Sequence, residues 1–165
     1  MHRSPRFARV VFNLRPCIRG TGARITHVAP DWSELRVRLP LSWRTRNYVG
    51  TIFGGSMYAS VDPFLMVLLI NRLGPDYVVW DKSATIRFRS PGRTTLHATF
   101  RVTDDDLVAI RSDVADGGGR IDRTWTIDLA DSEGVVHASV DKVLYIATRE
   151  ADRARRGRAG SEGAA

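Results

Sequence analysis

Apolar and polar residues recur with different periods along the chain, and each period predicts a different element. Apolar residues at helical spacing over residues 6–14 predict a short amphipathic helix, which Pro16 ends. Alternation over residues 22–30 and 34–40 predicts two half-buried strands. Residues 54–73 are apolar almost all round, so they predict one long helix that the rest of the fold surrounds.

The second half of the chain is dominated by strand patterns. Four apolar or alternating stretches predict long strands: residues 77–88, 94–102, 123–131 and 135–147. Pro91-Gly92 predicts a tight turn between the first two strands, and residues 131–134 predict one between the last two. Between these pairs, residues 103–119 predict a helix that Thr103 or Asp104 caps. This order predicts an α+β domain in which an antiparallel sheet wraps around the central helix.

Length and composition narrow the class of protein. A chain of 165 residues can form one domain with its own core, and its hydrophobic share of 43% is that of an ordinary globular protein. Cys17 is the only cysteine, which excludes a disulfide framework within the chain. No apolar run approaches the roughly 18 residues of a membrane span. We therefore expect a cytoplasmic protein.

The net charge of +7 is concentrated at the beginning of the chain, where residues 1–46 hold ten arginines and two acids. A basic segment of this kind can bind nucleic acid or an anionic lipid surface, and such a binding module is one alternative function. No zinc-finger spacing or aromatic RNA-binding signature accompanies it. We expect no nucleic acid and no membrane as partners.

The end of the chain and its histidines suggest no further chemistry. Residues 149–165 lack an apolar pattern, which predicts an Arg-rich disordered tail. His27, His97 and His137 occur singly in strand patterns, and the aspartates at 104–106 suit the first turn of a helix. We expect no metal site.

The start of the central helix carries the candidate chemistry. Gly54 and Gly55 leave backbone N–H groups open to a substrate carbonyl as an oxyanion hole, or they only allow close packing. Asp62 lies within the helix, where an unpaired buried carboxylate is costly. It is either a general base or nucleophile, or the cap of a second helix that begins at Pro63. Asn47 either orients water or the carbonyl, or only forms a turn.

This stretch resembles the hotdog-fold thioesterase superfamily. In its phenylacetate-pathway type, an Asn and a Gly precede His-Gly-Gly at the start of the helix, and an acid follows seven residues later. Asn47, Gly50, Phe53-Gly54-Gly55 and Asp62 fall at that spacing, with Phe53 in place of the His. The Phe-Gly-Gly triplet, the Asp-Pro pair and the "VWDK" strand also resemble an uncharacterised-domain branch often labelled tetrameric acyl-CoA thioesterase.

The resemblance implies a hotdog fold over residues 20–148, between an N-terminal helical flank at 1–19 and the tail at 149–165. It implies a hydrolase of acyl-CoA-type thioesters that works as a homodimer or homotetramer. The acid of one subunit would then face the start of the helix in the other. Coenzyme A would be part of the substrate, and no separate cofactor is expected.

Three kinds of side chain are expected to contact the substrate: apolar ones for the acyl chain, charged strand residues beside the central helix, and arginines for the phosphates of coenzyme A. They are Phe53, Tyr58 and Met66, then Asp81 and Lys82, then Arg89 and Arg93. Adjacent strand residues face opposite ways, so only one of the second group can point at the helix. A hotdog protein that binds acyl-CoA or acyl chains without catalysis is the alternative, because Phe53 stands where that family type has a His.

Overall fold

Six strands form one antiparallel, curved sheet in the computed structural model. The structure describes residues 4–162, and it describes their side chains except those of Arg6 and residues 158–162. The strands are β1 Arg24–Val28, β2 Glu34–Leu39, β3 Tyr77–Phe88, β4 Leu96–Arg101, β5 Arg120–Ala130 and β6 Val136–Thr148. The helices are α1 Pro5–Leu14, α2 Pro16–Thr21, α3 Gly54–Ala59, α4 Phe64–Leu73, α5 Asp104–Asp116 and α6 Arg149–Glu162. The predicted α+β class is confirmed, with each predicted strand at its expected place.

The strand order across the sheet is β1-β2-β4-β5-β6-β3. The predicted turn at residues 131–134 joins β5 to β6 as a hairpin, and the Asp131 carboxylate accepts the backbone N–H groups of Glu133 and Val135. The prediction that Pro91-Gly92 joins a strand pair as a tight turn is wrong. β3 lies at one edge and β4 in the middle, so the chain crosses the sheet between them.

The central helix is broken in two, whereas the sequence predicts one helix over residues 54–73. α3 ends at Ala59, and α4 begins at Phe64, after a turn over residues 60–63. Pro63 has no N–H to donate to the preceding helical turn, which explains the break. The Asp62–Pro63 peptide bond is cis. The break places a carboxylate in a turn between two buried helices.

The hydrophobic core lies between the inner face of the sheet and α4. Leu65, Leu68 and Leu69 of α4 are almost fully buried, and the Phe64 ring meets the Phe100 ring of β4 edge-on, with centroids 5.6 Å apart. At the β1 edge, α1 docks through the Asn13 side chain, which exchanges two hydrogen bonds with the backbone of Ile25. At the opposite edge, no strand of the described chain pairs with the outer side of β3.

Helix α5 forms as predicted, and the Thr103 side chain accepts the Asp106 N–H in a reciprocal capping box.

A helix, α6, lies where the sequence predicts a disordered tail. The Thr148 hydroxyl accepts the Ala151 N–H at its start, and buried Asp152 pairs with Arg156 one turn later, so polar contacts support it without an apolar face. Residues 163–165 lie outside the described chain. No helix among the described residues is long and apolar enough to cross a membrane.

Candidate active site

Asp62 lies in the turn between α3 and α4, and its side chain keeps 44% of its surface exposed. Its Oδ1 accepts a hydrogen bond of 2.7 Å from Nζ of Lys142. It does not cap α4, because no side chain bonds to the first backbone N–H groups of that helix. This carboxylate is thus half-exposed and is held from one side by Lys142.

Lys142 is the residue that the sequence analysis missed. It lies on the inner face of β6, fully buried, and its Nζ also lies 3.0 Å from Oδ1 of Asp81. That oxygen is buried without a hydrogen-bond partner among the described residues, so the contact with Lys142 is an ion pair without hydrogen-bond geometry. One cation therefore joins two carboxylates from different elements, a group that we call the Lys142 cluster.

A β-bulge in β3 aims Asp81 at Lys142. Asp81 pairs across the sheet with Leu144, but the register shifts before Ser83, so that Ala84 pairs with Lys142. Two consecutive residues therefore turn away from the core, and Asp81 stays on the inner face. Lys82, the residue after Asp81, points to the outer face, where its ammonium forms an ion pair with Asp122.

Burial and charge act in opposite directions on the Lys142 cluster. Desolvation by burial raises the pKa of Asp81, and the neighbouring Asp62 carboxylate adds to this rise while Lys142 opposes it. Burial by itself would lower the pKa of Lys142, but its hydrogen bond to Asp62 and the negative charges of Asp62 and Asp81 outweigh burial, so this pKa is raised. Lys142 therefore stays a cation at neutral pH.

A cleft of about 440 Å³ lies at the start of α3. Three predicted site residues line it, Asn47, Gly54 and Arg89, together with Met57, Phe88 and the segment that follows β3. The Asn47 side chain is held by Thr51, donating from Nδ2 to Oγ1 at 2.9 Å and accepting the Thr51 N–H at 3.0 Å. Asn47 thus closes the loop before the helix and also forms part of the cleft wall.

The two glycines at the start of α3 are covered by aromatic rings. A Cβ on Gly54 would lie 2.8 Å from the Phe88 ring, and a Cβ on Gly55 would lie 2.3 Å from the Phe53 ring. A side chain at either position would have to displace the facing ring, so packing favours glycine at both. Their use as an oxyanion hole stays a prediction.

The other predicted substrate-binding residues divide into exposed and partly buried ones. Phe53 and Tyr58 are 57% and 39% exposed, and Arg93 is exposed outside the residues that line the cleft. Met66 packs against the core from a half-buried position. The structure thus brings Asn47, Gly54 and Arg89 together at one cleft, and Asp62 and Asp81 together at Lys142.

A larger cleft of about 590 Å³ is lined by residues of β3, β5, β6 and α6. It is lined by Trp80, Asp81, Lys82, Arg120, Ile121, Asp122, Tyr145 and Arg155. The Arg155 guanidinium of α6 stacks over the Tyr145 ring there, 5.3 Å from its centroid. Among the described residues, no group of three or more His, Cys, Asp or Glu side chains is placed to hold a metal ion.

Solved structures with this architecture come from several bacteria. A Pseudomonas aeruginosa protein of unknown function, described as a probable thioesterase, superposes with a TM-score of 0.77 at 17% identity, over 90% of this chain and 99% of that one. A thioesterase from Haemophilus influenzae gives a TM-score of 0.64 at 13% identity, over 90% and 93% of the two chains. A mutant thioesterase from Pseudomonas aeruginosa gives 0.63 at 11%, over 90% and 96%. At identities this low, these superpositions establish a shared fold and nothing about activity.

The sequence itself matches one family. No protein of curated function matches the chain. The family described as a domain of unknown function, DUF4442, matches residues 3–146, which is most of the chain. With the six-stranded sheet wrapped around α3 and α4 and the solved structures above, the predicted hotdog fold is confirmed. The chain belongs to the DUF4442 family and has the hotdog fold.

Proposed function

We propose that the protein hydrolyses acyl-CoA-type thioesters, with Asp62 as the catalytic carboxylate. The observation that carries this proposal is the placement of Asp62, half-exposed in a break of the central helix and hydrogen-bonded on one oxygen to buried Lys142. A carboxylate fixed in this way can deprotonate water or attack a carbonyl. The thioesterases among the structural neighbours support the same reaction class.

In the proposed reaction, Asp62 takes a proton from a water molecule that attacks the thioester carbonyl carbon. The C–S bond then breaks, Asp62 gives the proton to the departing thiolate, and the thiol and the carboxylic acid leave. Direct attack by Asp62 through a mixed anhydride is the other route that the same residue allows. The cleft with Asn47, Gly54 and Arg89 would hold the acyl carbonyl and the adjoining part of coenzyme A.

Lys142 and Asp81 are positioning residues in this proposal. Lys142 holds Oδ1 of Asp62, which leaves the exposed part of the carboxylate for water. Asp81 is the second carboxylate beside the buried Lys142 ammonium, so the Lys142 cluster carries one net negative charge when both acids are ionised. Removal of Lys142 would therefore affect both the orientation of Asp62 and the cost of its charge.

The site is proposed to be shared between subunits. Asp62 follows α3, whose six residues span about 9 Å, so it does not lie at the cleft beside Gly54 in the same subunit. The open edge of β3 and the exposed rings of Phe53 and Phe88 support pairing with a second copy. A dimer could then bring the acid of one subunit to the cleft of the other.

Thiol release from short, medium, long and aryl acyl-CoAs tests the function. We expect turnover by the wild type and a loss of at least about a hundredfold in Asp62→Asn, because a positioned base contributes at least this much. Asp116→Asn is the matched control, since Asp116 is an exposed acid at the end of α5. Sedimentation of each variant would show whether the assembly is unchanged.

Two results would contradict this proposal. Turnover that survives in Asp62→Asn would place the chemistry elsewhere. Tight acyl-CoA binding with no turnover in any variant would instead favour the non-catalytic acyl-CoA-binding alternative, consistent with the Phe53 ring over Gly55.

A further inference from the structure

A second polar cluster lies at the end of the sheet, apart from Asp62. Ser90 Oγ is 3.0 Å from Nδ1 of His137, and Nε2 of His137 is 3.1 Å from Oδ2 of Asp131. Ser90 follows β3, His137 lies in β6, and Asp131 begins the turn between β5 and β6. A serine, a histidine and an aspartate are linked in the order that activates a serine hydroxyl, with the roles of the two ring nitrogens exchanged relative to the Ser-His-Asp triad of serine proteases.

We propose that Ser90, His137 and Asp131 form a nucleophilic acyl-transfer centre that cleaves small esters or thioesters through an acyl-serine intermediate. This centre goes beyond the thioester hydrolysis proposed above, because it uses neither Asp62 nor a second subunit. It also gives a role to His137, which the strand pattern presents as an ordinary sheet residue.

The hydrogen bonds of His137 suit a general base. The hydrogen bond from His137 holds the pKa of Asp131 below its ordinary value, so this carboxylate is ionised and accepts the proton on Nε2. With the proton on Nε2, Nδ1 can accept a hydrogen bond from the Ser90 hydroxyl. Once Nδ1 takes a proton, it can donate a hydrogen bond to the Pro91 carbonyl oxygen, 3.1 Å away. Both states of the ring thus have partners in place.

Burial and access are divided between the three residues as this chemistry requires. His137 is only 9% exposed, which shields the base from bulk water. Ser90 lines the cleft of about 440 Å³ together with Arg89. Arg89, held by a hydrogen bond of 3.0 Å from its Nε to Ser139, gives the lining of this cleft a positive charge that could stabilise an oxyanion. A cleft of this size suits a small acyl group.

The reaction balances with water as the only co-reactant. Ser90 Oγ attacks the carbonyl carbon, and its proton passes to Nδ1 of His137. The tetrahedral intermediate collapses as the C–S or C–O bond breaks, and the leaving group takes the proton from Nδ1. Water then attacks the acyl-serine, gives its proton to Nδ1, and releases the acid while Ser90 Oγ recovers that proton.

Covalent labelling with diisopropyl fluorophosphate tests the centre directly. Attack by Ser90 forms an O–P bond and expels fluoride, so intact-mass spectrometry should show one diisopropylphosphoryl group, and peptide mapping should place it on Ser90. Ser90→Ala should not be labelled, while Ser132→Ala, which changes an exposed serine of the β5–β6 turn, should be labelled like the wild type. His137→Gln should be labelled at least about a hundredfold more slowly.

Two further readouts separate catalysis from a structural role and from the Asp62 proposal. Hydrolysis of p-nitrophenyl acetate should show a burst equal to the enzyme concentration, lost in Ser90→Ala, whose circular dichroism should match the wild type. Labelling of Ser90 should persist in Asp62→Asn even if thiol release from acyl-CoA falls. Absence of label on wild-type Ser90, or equal labelling of His137→Gln, would overturn the proposal and leave the cluster as a clamp between two turns.

Discussion

The two faces of the β3–β6 strand pair place the chain's two lysines in opposite environments. On the inner face, Lys142 is fully buried and contacts the carboxylates of Asp62 and Asp81. On the outer face, Lys82 pairs with Asp122, and their side chains remain 58% and 41% exposed. Both places join a lysine ammonium to aspartate carboxylates, but Lys142 has two such partners and no exposed surface, whereas Lys82 has one and stays in contact with water.

This comparison shows that a buried charge is a better indicator of a functional site than an exposed charge of the same kind. Taking a lysine out of water is unfavourable unless its partners are well placed, and removal of one partner then leaves an uncompensated buried charge. An exposed pair is screened and contributes little. The outer face holds further exposed pairs, such as Arg87 with Asp141, and these keep a polar sheet surface in water.

The substitution expected to have the largest effect is Lys142→Met. Methionine keeps the length of the side chain but leaves Asp62 and Asp81 as neighbouring carboxylates without a cation. We expect the free energy of unfolding at pH 7 to fall by about 3 kcal/mol, the low end for a broken buried pair because Asp62 is half-exposed. Urea denaturation followed by circular dichroism measures this change.

The triple variant Lys142→Met, Asp62→Asn, Asp81→Asn is its control. It removes the two charges that the single substitution leaves behind, so it should recover part of the lost stability. An unchanged free energy of unfolding in Lys142→Met would show that the buried lysine contributes no more to stability than an exposed one. The proposed difference between the two faces would then be wrong.

The sequence predicts much of the sheet because strand patterns are local. Alternating or apolar stretches located all six strands, and the acid-rich start of α5 located that helix, although it left the cap open between Thr103 and Asp104. The sheet order was beyond reach, since the crossing between β3 and β4 depends on which strands meet after the chain has folded. For the same reason, the hairpin-like signal of Pro91-Gly92 was misleading.

The candidate site was predictable only in its first half. Asp62 stood out because an acid followed by proline interrupts an apolar stretch. Its partner Lys142 lies 80 residues away, and no local pattern connects the two. One signal was available: only two of the 25 basic residues are lysines, and Lys142 alternates with Val140 and Leu144 on a buried face. The bulge that aims Asp81 inward left no mark in the sequence.

A smaller effect is expected from Asp81→Asn, and it should depend on pH. Burial raises the pKa of Asp81, so in the folded protein this carboxyl keeps its proton at pH values above its ordinary pKa of 3.8. For an acid with a raised folded pKa, the contribution to stability is present below the unfolded value and is lost as pH rises through the folded value. Asp81→Asn does not titrate, so its stability should improve relative to the wild type between about pH 4 and pH 7. Denaturation at both pH values measures the trend, and the opposite trend would mean that Lys142 dominates the ionisation of Asp81.

The smallest effect is expected from Lys82→Met, which makes on the outer face the same change as Lys142→Met on the inner face. The Lys82–Asp122 pair is exposed on both sides, so its loss should cost less than about 0.5 kcal/mol. Because salt screens exposed charges, the difference from the wild type should shrink further between low and high ionic strength. A loss as large as that of Lys142→Met would mean that the cleft beside Trp80 and Tyr145 shields this pair from water. The outer face would then be part of a buried surface, and position relative to the sheet would no longer separate the two lysines.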